Sequence, residues 1–451
     1  MVRERLGSRL GFILLSAGCA IGCGNVWKFP WLTGQYGGGA FVLVYILFLI
    51  LIGLPVMTME FSLGRASQKS PVRLYQALEP EGTKWHIHGY GSFVANVVLM
   101  MFYTVVTAWM FYYFVEMACG SFDGKSPKEV GDAFGALLSD PETMIGYMLL
   151  VVVMGFFVLS FSLKGGLERI NKYMMILLLG IMILLVGNSL TLEGVSQGLS
   201  FYLVPDFSKI TPNVVVNAMN QAFFTLSLGI GSLAIFGSYL GRERTLMGES
   251  LHVIYLDTFV AICAGFIIFP ACFTYGVEPG AGPGLIFVTL PNIFIHMPMG
   301  RVWGSLFFLF MSFAAFSTIL AVFENISSCV RDMTGWDRPK TSLICCVSLA
   351  VLSVPCVLGF NIWSDFQPLG AGTGVLDLED FLVSYIALPL GSLTFVLFCT
   401  NKMGFTWEKF VKEANMGKGL KVGNWARFYC TYVLPLIILV IFLIGIFSFF
   451  K

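Results

Sequence analysis

The feature that most constrains this chain is a series of eleven apolar runs, each about 18 residues or longer, the length that an α-helix needs to cross a bilayer. The runs cover positions 10–35, 40–64, 89–118, 143–163, 168–190, 213–240, 251–275, 300–330, 341–360, 378–400 and 426–450. Hydrophobic residues make up 57% of the 451 residues and charged residues 12%, about half the charged share of a soluble domain. The sequence therefore predicts an all-α polytopic membrane protein with a single transmembrane domain over 1–451.

The charge and the cysteines argue against several other classes of protein. A net charge of +1 without a basic stripe argues against nucleic acid as a partner. The eleven cysteines lie in or beside apolar runs and form no CxxC motif, which indicates neither a disulfide framework nor a zinc site. Within its apolar runs the sequence contains no HExxH or GxSxG motif that would support an intramembrane enzyme. We also expect no organic cofactor.

Basic residues are distributed unevenly between alternate loops. Cytoplasmic loops of membrane proteins carry an excess of lysine and arginine. With a cytoplasmic N-terminus, 21 of the 27 basic residues fall in inner segments and five in outer ones, and Lys28 lies inside the first helix. The pattern predicts a protein of the plasma (inner) membrane with its N-terminus in the cytoplasm and its C-terminus outside.

Two connecting loops have distinctive compositions. The outer loop 276–299 contains an apolar patch at 285–290 between Gly-Pro breaks, and we expect this patch to form a short helix over the outer mouth. The inner loop 401–424 is rich in lysine, and we expect it to be solvated.

Two of the helices carry glycines near the middle of the membrane. They are Gly18, Gly22 and Gly24 in the first helix, and Gly229 and Gly231 in the sixth. Glycine weakens a helix, and each unpaired backbone group in lipid costs several kcal/mol. An unwound segment offers carbonyl oxygens to a small cation, and the half-helix after it offers N–H groups to an anion. The two breaks therefore predict a site for an ion and a carboxylate, although a Gly-x-x-x-Gly spacing alone is more typical of helix packing.

The two interrupted helices occupy corresponding positions in the chain. Helices 1–5 span 10–190 and helices 6–10 span 213–400, with an extra C-terminal helix at 426–450. Interrupted helices at the start of two such halves indicate an inverted-repeat transporter with its site between them.

Six motifs carry a resemblance to a known family. They are SRLGFIL (8–14), AGCAIGCGNVWKFP (17–30), YGGGAF (36–41), MEFSLGR (59–65), FFTLSLGIG (223–231) and FAAFSTILAVFEN (313–325). In these motifs the chain resembles the neurotransmitter:sodium symporter family, especially its bacterial LeuT-like amino-acid transporters. The resemblance implies a LeuT-like fold with a 5+5 inverted repeat, broken helices 1 and 6, and alternating access. The rule that links paired broken helices to a transport site comes from transporters of this family.

The resemblance also implies two sodium sites. The first site takes the substrate carboxylate and oxygens of Ala20, Asn25, Thr225 and Asp257. The second site takes oxygens of Gly18, Ile21, Ala314, Ser317 and Thr318. Oxygen ligands are those that a hard cation prefers.

A substrate site is implied beside the first sodium site. Its residues are Ala20, Gly22, Cys23, Gly24, Leu99, Tyr103, Phe224, Thr225, Ser227, Ile230, Thr318 and Val322. Monoamine transporters of the family carry an aspartate where this chain has Gly22, so the substrate is expected to bring its own carboxylate. The lining is mostly apolar, and burial of a charged side chain there is costly. We therefore expect a neutral, probably hydrophobic L-amino acid.

Charge and gating complete the implied mechanism. A fixed carboxylate at Asp257 replaces the chloride that animal members use, which predicts chloride-independent transport. Protonation of Asp257 after the ion leaves is an alternative that would give proton countertransport. The resemblance implies an outer latch between Lys28 and Asp380. It implies an inner latch of Arg3 and Asp332, supported by Tyr239 and Glu60.

Other functions stay open at the level of the sequence. A proton-coupled or exchange-type amino-acid transporter of the same superfamily is the main alternative, and a binding-only amino-acid sensor on the same scaffold is another. The expected partners are the amino acid and membrane lipid, and the sequence leaves monomer and dimer equally possible.

Overall fold

The computed structural model describes residues 6–277 and 284–449, which are helical with no strand. Eleven membrane-crossing segments, named α1 to α11, follow the predicted runs. α1 has two halves, Arg9–Ala20 and Gly24–Gln35, and α6 also has two, Pro212–Thr225 and Ser232–Gly237. The others are α2 (Gly39–Ser67), α3 (His86–Cys119), α4 (Pro141–Ser160), α5 (Leu163–Ser189), α7 (Leu246–Thr274), α8 (Gly300–Thr334), α9 (Arg338–Leu358), α10 (Val375–Thr400) and α11 (Ala426–Phe447).

The helix count agrees with the sequence once the two breaks are considered. In the described part of the chain, nine helices are long and apolar enough to cross a membrane, and the bent pair of α1 makes a tenth. The remaining predicted segment is α6, whose two halves are too short to pass this test separately.

Several helices begin where the sequence provides a capping residue. Ser8 accepts a hydrogen bond from the Gly11 N–H at 2.9 Å and caps α1. Asp140 and Thr211 cap α4 and α6 in the same way, each followed by a proline at the first helical position. Such side chains satisfy backbone N–H groups that have no partner within the helix, and proline lacks that N–H.

The backbone leaves helical geometry at both predicted breaks. The two halves of α1 meet at an angle of 51°, and Ile21 between them is extended. In α6, Ser227, Gly229 and Gly231 all have positive φ angles, a conformation that glycine adopts readily and serine rarely does. The glycine at 229 is also needed for space, because a Cβ there would lie 2.7 Å from the Ser392 N of α10.

Burial separates a central group of helices from a peripheral one. The apolar windows of α8 and α3 are 83% and 72% buried inside the protein, whereas those of α4, α5 and α9 are 39% buried and that of α11 is 33% buried. Residues 11–20 of α1 and 222–239 of α6 are buried throughout. The two broken helices therefore lie in the protein interior, as polar backbone at membrane depth requires.

The outer loop folds as expected within its described residues. Leu285–Thr289 and Leu290–His296 form short helices. The ring of Phe287 lies 5.8 Å from that of Trp109 and 5.0 Å from that of Phe134. These contacts bury the apolar patch against α3 and the helix Pro127–Leu138.

The expectation for the inner loop 401–424 is wrong for its middle part, whereas residues 401–403 and 417–421 are exposed. A short helix, Trp407–Ala414, buries Trp407, Phe410 and Glu413 against the protein. Arg65, fully buried at the end of α2, donates from Nε to Glu413 Oε1 at 2.7 Å and from Nη2 to the Glu413 carbonyl. The lysines of this amphipathic helix lie on its solvent-facing side, and its apolar side packs against the core. The lysine content alone therefore did not indicate the buried side.

Candidate substrate and ion-binding site

A cluster of oxygen atoms lies where the break of α1 meets α8. Ser317 Oγ is 2.9 Å from the Gly18 carbonyl, 3.1 Å from that of Ile21 and 2.8 Å from that of Ala314. Thr318 Oγ1 is 3.2 Å from the Gly18 carbonyl and 3.4 Å from that of Ile21. The structure thus brings together all five residues of the predicted second sodium site.

This cluster has more acceptors than hydrogens. Each hydroxyl has one hydrogen to donate, whereas three carbonyl oxygens converge on Ser317 alone. Ser317 is fully buried and Thr318 is 3% exposed, so bulk water does not supply the missing donors. A small hard cation would be stabilised by such a set of oxygens, and the residues present fit sodium at this position.

A second polar cluster joins α1, α6 and α7 around a buried carboxylate. Asn25 Nδ2 donates to Asp257 Oδ1 at 2.8 Å, and Thr225 Oγ1 lies 3.2 Å from the same oxygen. The hydroxyl of Tyr45 on α2 lies 3.5 Å from Asp257 Oδ2. Asn25 Oδ1 accepts from the Gly22 N–H at 3.0 Å, which ties the cluster to the break of α1. The structure therefore brings together Asn25, Thr225 and Asp257 of the predicted first sodium site.

The role of Tyr45 was missed at the level of the sequence. The residue lies in an ordinary apolar run of α2, so no local signal distinguishes it from a packing aromatic.

A small cavity of about 10 Å³ borders Thr318 of the first cluster. This is room for about one water molecule, so the cavity must widen to admit an amino acid. Its lining residues are Cys19, Ala20, Gly24, Leu99, Tyr103, Phe224, Ser227, Ile230, Thr318 and Leu388. Eight of them belong to the predicted substrate set, and Leu388 of α10 and Cys19 do not.

The other four predicted substrate residues lie outside this lining. The Cys23 N–H donates to the Tyr103 hydroxyl at 2.8 Å, so it adjoins the cavity through the backbone. Gly22 adjoins it in a similar way, because a Cβ there would overlap Tyr103 Oη and Thr318 Oγ1. Thr225 belongs to the Asp257 cluster. Val322 is fully buried one turn beyond Thr318 on α8.

Side chains satisfy the unwound backbone of α6. Glu60 Oε1 accepts from the Gly229 N–H at 2.6 Å. Asn96 Nδ2 donates to the Ile230 carbonyl at 2.7 Å, and its Oδ1 accepts from Ser232 at 2.9 Å. Glu60, for which the sequence predicted a place in the inner latch, thus lies at the break of α6.

The predicted outer latch is closed in the structure. Lys28 Nζ lies 3.0 Å from Asp380 Oδ1 and 3.2 Å from Ser384 Oγ. The same ammonium lies 4.2 Å from the centre of the Phe224 ring, within the distance of a cation–π contact. Lys28 and Asp380 therefore lie directly above the cavity residue Phe224.

The inner side has a more extensive ionic network. Tyr239 donates to Glu324 Oε1 at 2.7 Å, and the same carboxylate pairs with Arg331 at 3.1 Å and with Arg338 at 2.9 Å. Asp332 Oδ2 accepts from the Ser70 N–H at 2.8 Å. Arg3, the predicted partner of Asp332, lies outside the described residues. The pairing of Glu324 with two arginines was missed, although Arg331 lies seven residues further along the same helix, a spacing that places both residues on one face.

The fold and the site together define the class of protein. Two broken helices meet in the centre of a membrane-spanning bundle, and buried oxygen clusters flank a cavity there. This is the arrangement of an inverted-repeat secondary transporter.

Comparison with known proteins identifies the family. The chain matches the sodium:neurotransmitter symporter family over residues 3–127 and 136–451, and it belongs to this family. It is 33% identical over 445 residues to the uncharacterized sodium-dependent transporter YhdH of Bacillus subtilis, with 98% of each chain covered. It is 32% identical over 455 residues to an uncharacterized sodium-dependent transporter of Haemophilus influenzae, covering 99% of this chain and 98% of the relative. The protein is therefore a membrane transporter and not an enzyme.

A solved structure supports the same fold. The crystal structure of MhsT in complex with L-phenylalanine matches with a TM-score of 0.90 and 34% sequence identity, covering 98% of this chain and 100% of that one. The chain therefore has a LeuT-like fold, as the sequence resemblance implied.

Proposed function

We propose that this protein is a sodium-coupled symporter that imports a neutral, hydrophobic L-amino acid by alternating access. The observation that carries the proposal is the position of the break of α1, whose residues contribute to the two oxygen clusters and also to the cavity. Gly18 and Ile21 offer carbonyls to the cluster on α8. The Cys23 N–H reaches Tyr103 on the cavity wall. A sodium ion and an amino-acid carboxylate can therefore be held side by side.

The proposed ion sites follow the two clusters. Sodium 1 is held by the Ala20 carbonyl, Asn25, Thr225, Asp257 and the substrate carboxylate. Sodium 2 is held by Gly18, Ile21, Ala314, Ser317 and Thr318. When bound, sodium supplies positive charge to buried oxygens that otherwise face one another. Binding then biases the equilibrium between outward-open and inward-open states, and the sodium gradient favours the inward direction.

The substrate class follows from the lining of the cavity. The Tyr103 hydroxyl and the backbone N–H groups near Cys23 and Gly24 receive the carboxylate. Leu99, Phe224 and Ile230 offer only apolar surface to the side chain, so a charged side chain would have no partner there. MhsT, 34% identical, was crystallised with L-phenylalanine, a substrate of the proposed kind.

Opening and closing are proposed to follow the polar contacts at each end. Lys28 and Asp380 close the outer side above Phe224, and Asp332, Arg3 and Tyr239 act on the inner side. The proposed repeats are 10–190 and 213–400, with 426–450 outside them. We infer an inner-membrane protein whose N-terminus is cytoplasmic and whose C-terminus is outside, from the distribution of basic residues.

Uptake into proteoliposomes tests the central proposal. A panel of neutral amino acids is offered with a gradient of sodium, potassium or lithium. We expect accumulation of a hydrophobic amino acid with inward sodium only. Uptake that follows a proton gradient without sodium would favour a proton-coupled transporter, and binding without uptake would favour a sensor.

Asp257 gives a separate prediction about chloride. The fixed carboxylate lies 2.8 Å from Asn25 Nδ2 and beside Thr225, so it supplies negative charge at sodium 1 without an added anion. We expect sodium-driven uptake to be unchanged when gluconate replaces chloride. We expect D257N to lower uptake by at least about tenfold, because a buried cation loses its countercharge. A chloride requirement in the parent protein would contradict this role for Asp257.

A further inference from the structure

We propose that Leu388 of α10 limits the size of the substrate side chain, an inference that rests on the proposed function. Leu388 is 1% exposed and lines the cavity together with Leu99, Phe224 and Ile230. Among the described residues it is the one cavity residue from α10, and it lies outside the motifs that carry the family resemblance. A leucine at this position adds branched apolar surface to the space proposed for the substrate side chain.

A local irregularity of α10 explains why Leu388 faces the cavity. The residue directly follows a π-helical segment, Phe381–Ala387, which accommodates one more residue per turn than an α-helix does. In an uninterrupted α-helix, a residue eight positions after Asp380 would be rotated from it by about 80°. With one residue absorbed, the separation is equivalent to seven positions and the rotation falls to about 20°. Leu388 therefore lies on the same face as Asp380, and that face meets Lys28 at the outer latch.

Close backbone packing fixes the depth of Leu388. A Cβ on Gly229 would lie 2.7 Å from the Ser392 N–H nitrogen and would overlap the Leu388 carbonyl. A Cβ on Gly391 would overlap the Gly229 carbonyl. The first turn of α10 after the π segment thus rests on the unwound part of α6, and protein interiors of this density do not yield easily.

The position of Leu388 also links side-chain size to closure of the outer latch. Asp380 and Leu388 belong to one continuous helix, and Asp380 lies 3.0 Å from Lys28. A side chain too large for the space beside Leu388 would push α10 away from α1 and would lengthen this contact. The latch would then close only over substrates that leave Leu388 in place.

Competition binding in sodium to the purified, full-length protein tests this proposal. Unlabelled L-alanine, L-valine, L-leucine and L-phenylalanine compete with the labelled amino acid that the parent protein binds most tightly. The variants are L388A, L388F and the volume-conserving L388M, and L320A is the matched control at a fully buried leucine of α8 outside the cavity lining. The ratio of affinities for large and small amino acids is the readout, because a general loss of stability would lower all affinities together.

A methylene in an apolar pocket is worth about 10- to 200-fold in discrimination. We expect L388A to shift the ratio at least about tenfold toward large amino acids, L388F to shift it toward small ones, and L388M and L320A to leave it unchanged. Unchanged ratios in L388A, while I230A shifts them, would overturn the role of Leu388. A parent protein that binds no amino acid in sodium would instead overturn the proposed function, so the two failures are distinguishable.

Discussion

The two broken helices at the centre of this transporter satisfy their free backbone groups in different ways. In α6, side chains of the protein pair with them, through Glu60 at the Gly229 N–H and Asn96 at the Ile230 carbonyl. In α1, the carbonyls of Gly18 and Ile21 crowd around hydroxyls that have too few hydrogens. These two groups of α6 are thus paired within the protein, whereas the carbonyls of the α1 break include surplus acceptors that a cation would stabilise. We infer from this difference that the break of α1 offers more oxygens to an ion than the break of α6 does.

The largest expected effect comes from filling the break of α1. In G22A, the added Cβ would overlap Tyr103 Oη and Thr318 Oγ1, so we expect amino-acid uptake to fall to background. The matched control is G180A in α5, where a Cβ meets nothing within 4 Å, and its uptake is expected to stay at the parent level. Normal uptake by G22A in proteoliposomes would show that the space beside Gly22 is not used.

Removal of one oxygen from the α1–α8 cluster is the next largest effect. In T318V the site loses the hydroxyl beside the Gly18 and Ile21 carbonyls. A bond to a charged group is worth about 1.5–3 kcal/mol, so the sodium concentration for half-maximal uptake should rise roughly 10- to 150-fold. The control is T58V, because Thr58 is buried on α2 and its hydroxyl bonds the Leu54 carbonyl of its own helix and Ser250 Oγ of α7, away from the cluster. Equal sodium dependence in the two variants would contradict an ion site at the cluster.

A substitution at the α6 break is expected to lower the stability of the protein more than it changes the sodium dependence of uptake. In N96A the Ile230 carbonyl loses its partner in the protein interior, a loss of about 1–3 kcal/mol. We expect a lower thermal unfolding temperature with the same sodium concentration for half-maximal uptake. The control is N217A, since Asn217 bonds the exposed Asn213 carbonyl in the same helix. A shifted sodium dependence in N96A would remove the distinction between the two breaks.

The smallest effect is expected at the outer end of α1. In K28R, a planar guanidinium can bind the Asp380 carboxylate through two parallel hydrogen bonds, which a lysine cannot do. Partly exposed ion pairs are worth about 0.2–1 kcal/mol, so the affinity for the amino acid should change by no more than about fivefold. The control is K125R, because Lys125 also lies over an aromatic ring, Phe122, but in an outer loop. A complete loss of uptake in K28R alone would mean that the latch depends on the shape of lysine.

Much of the fold and part of the site follow from the sequence. The eleven apolar runs indicate the helices, and the glycines of α1 and α6 indicate their breaks. Both signals can be found in the sequence because each affects the conformation of its own segment. The oxygens of Ser317 and Thr318 were implied by motifs close to their own positions. Tyr45 and Leu388 were not predicted, because each meets residues of other helices and no local pattern indicates such a contact. The helix Trp407–Ala414, which packs against the protein, was missed because the lysines of this short loop suggested a solvated segment.

The sequence by itself determined that the chain lies in a membrane and indicated that two of its helices are interrupted. The reason is that both effects are local. The length of an apolar run decides whether a helix can cross the bilayer, and a glycine weakens the helix at its own position. Only the tertiary structure decided which of the free backbone groups at the breaks form hydrogen bonds with side chains and which remain without a donor. Glu60 and Asn96 come from α2 and α3 to complete α6, whereas α8 brings hydroxyls with too few hydrogens to α1. Whether a broken helix becomes a scaffold or an ion site depends on the side chains that neighbouring helices place beside it.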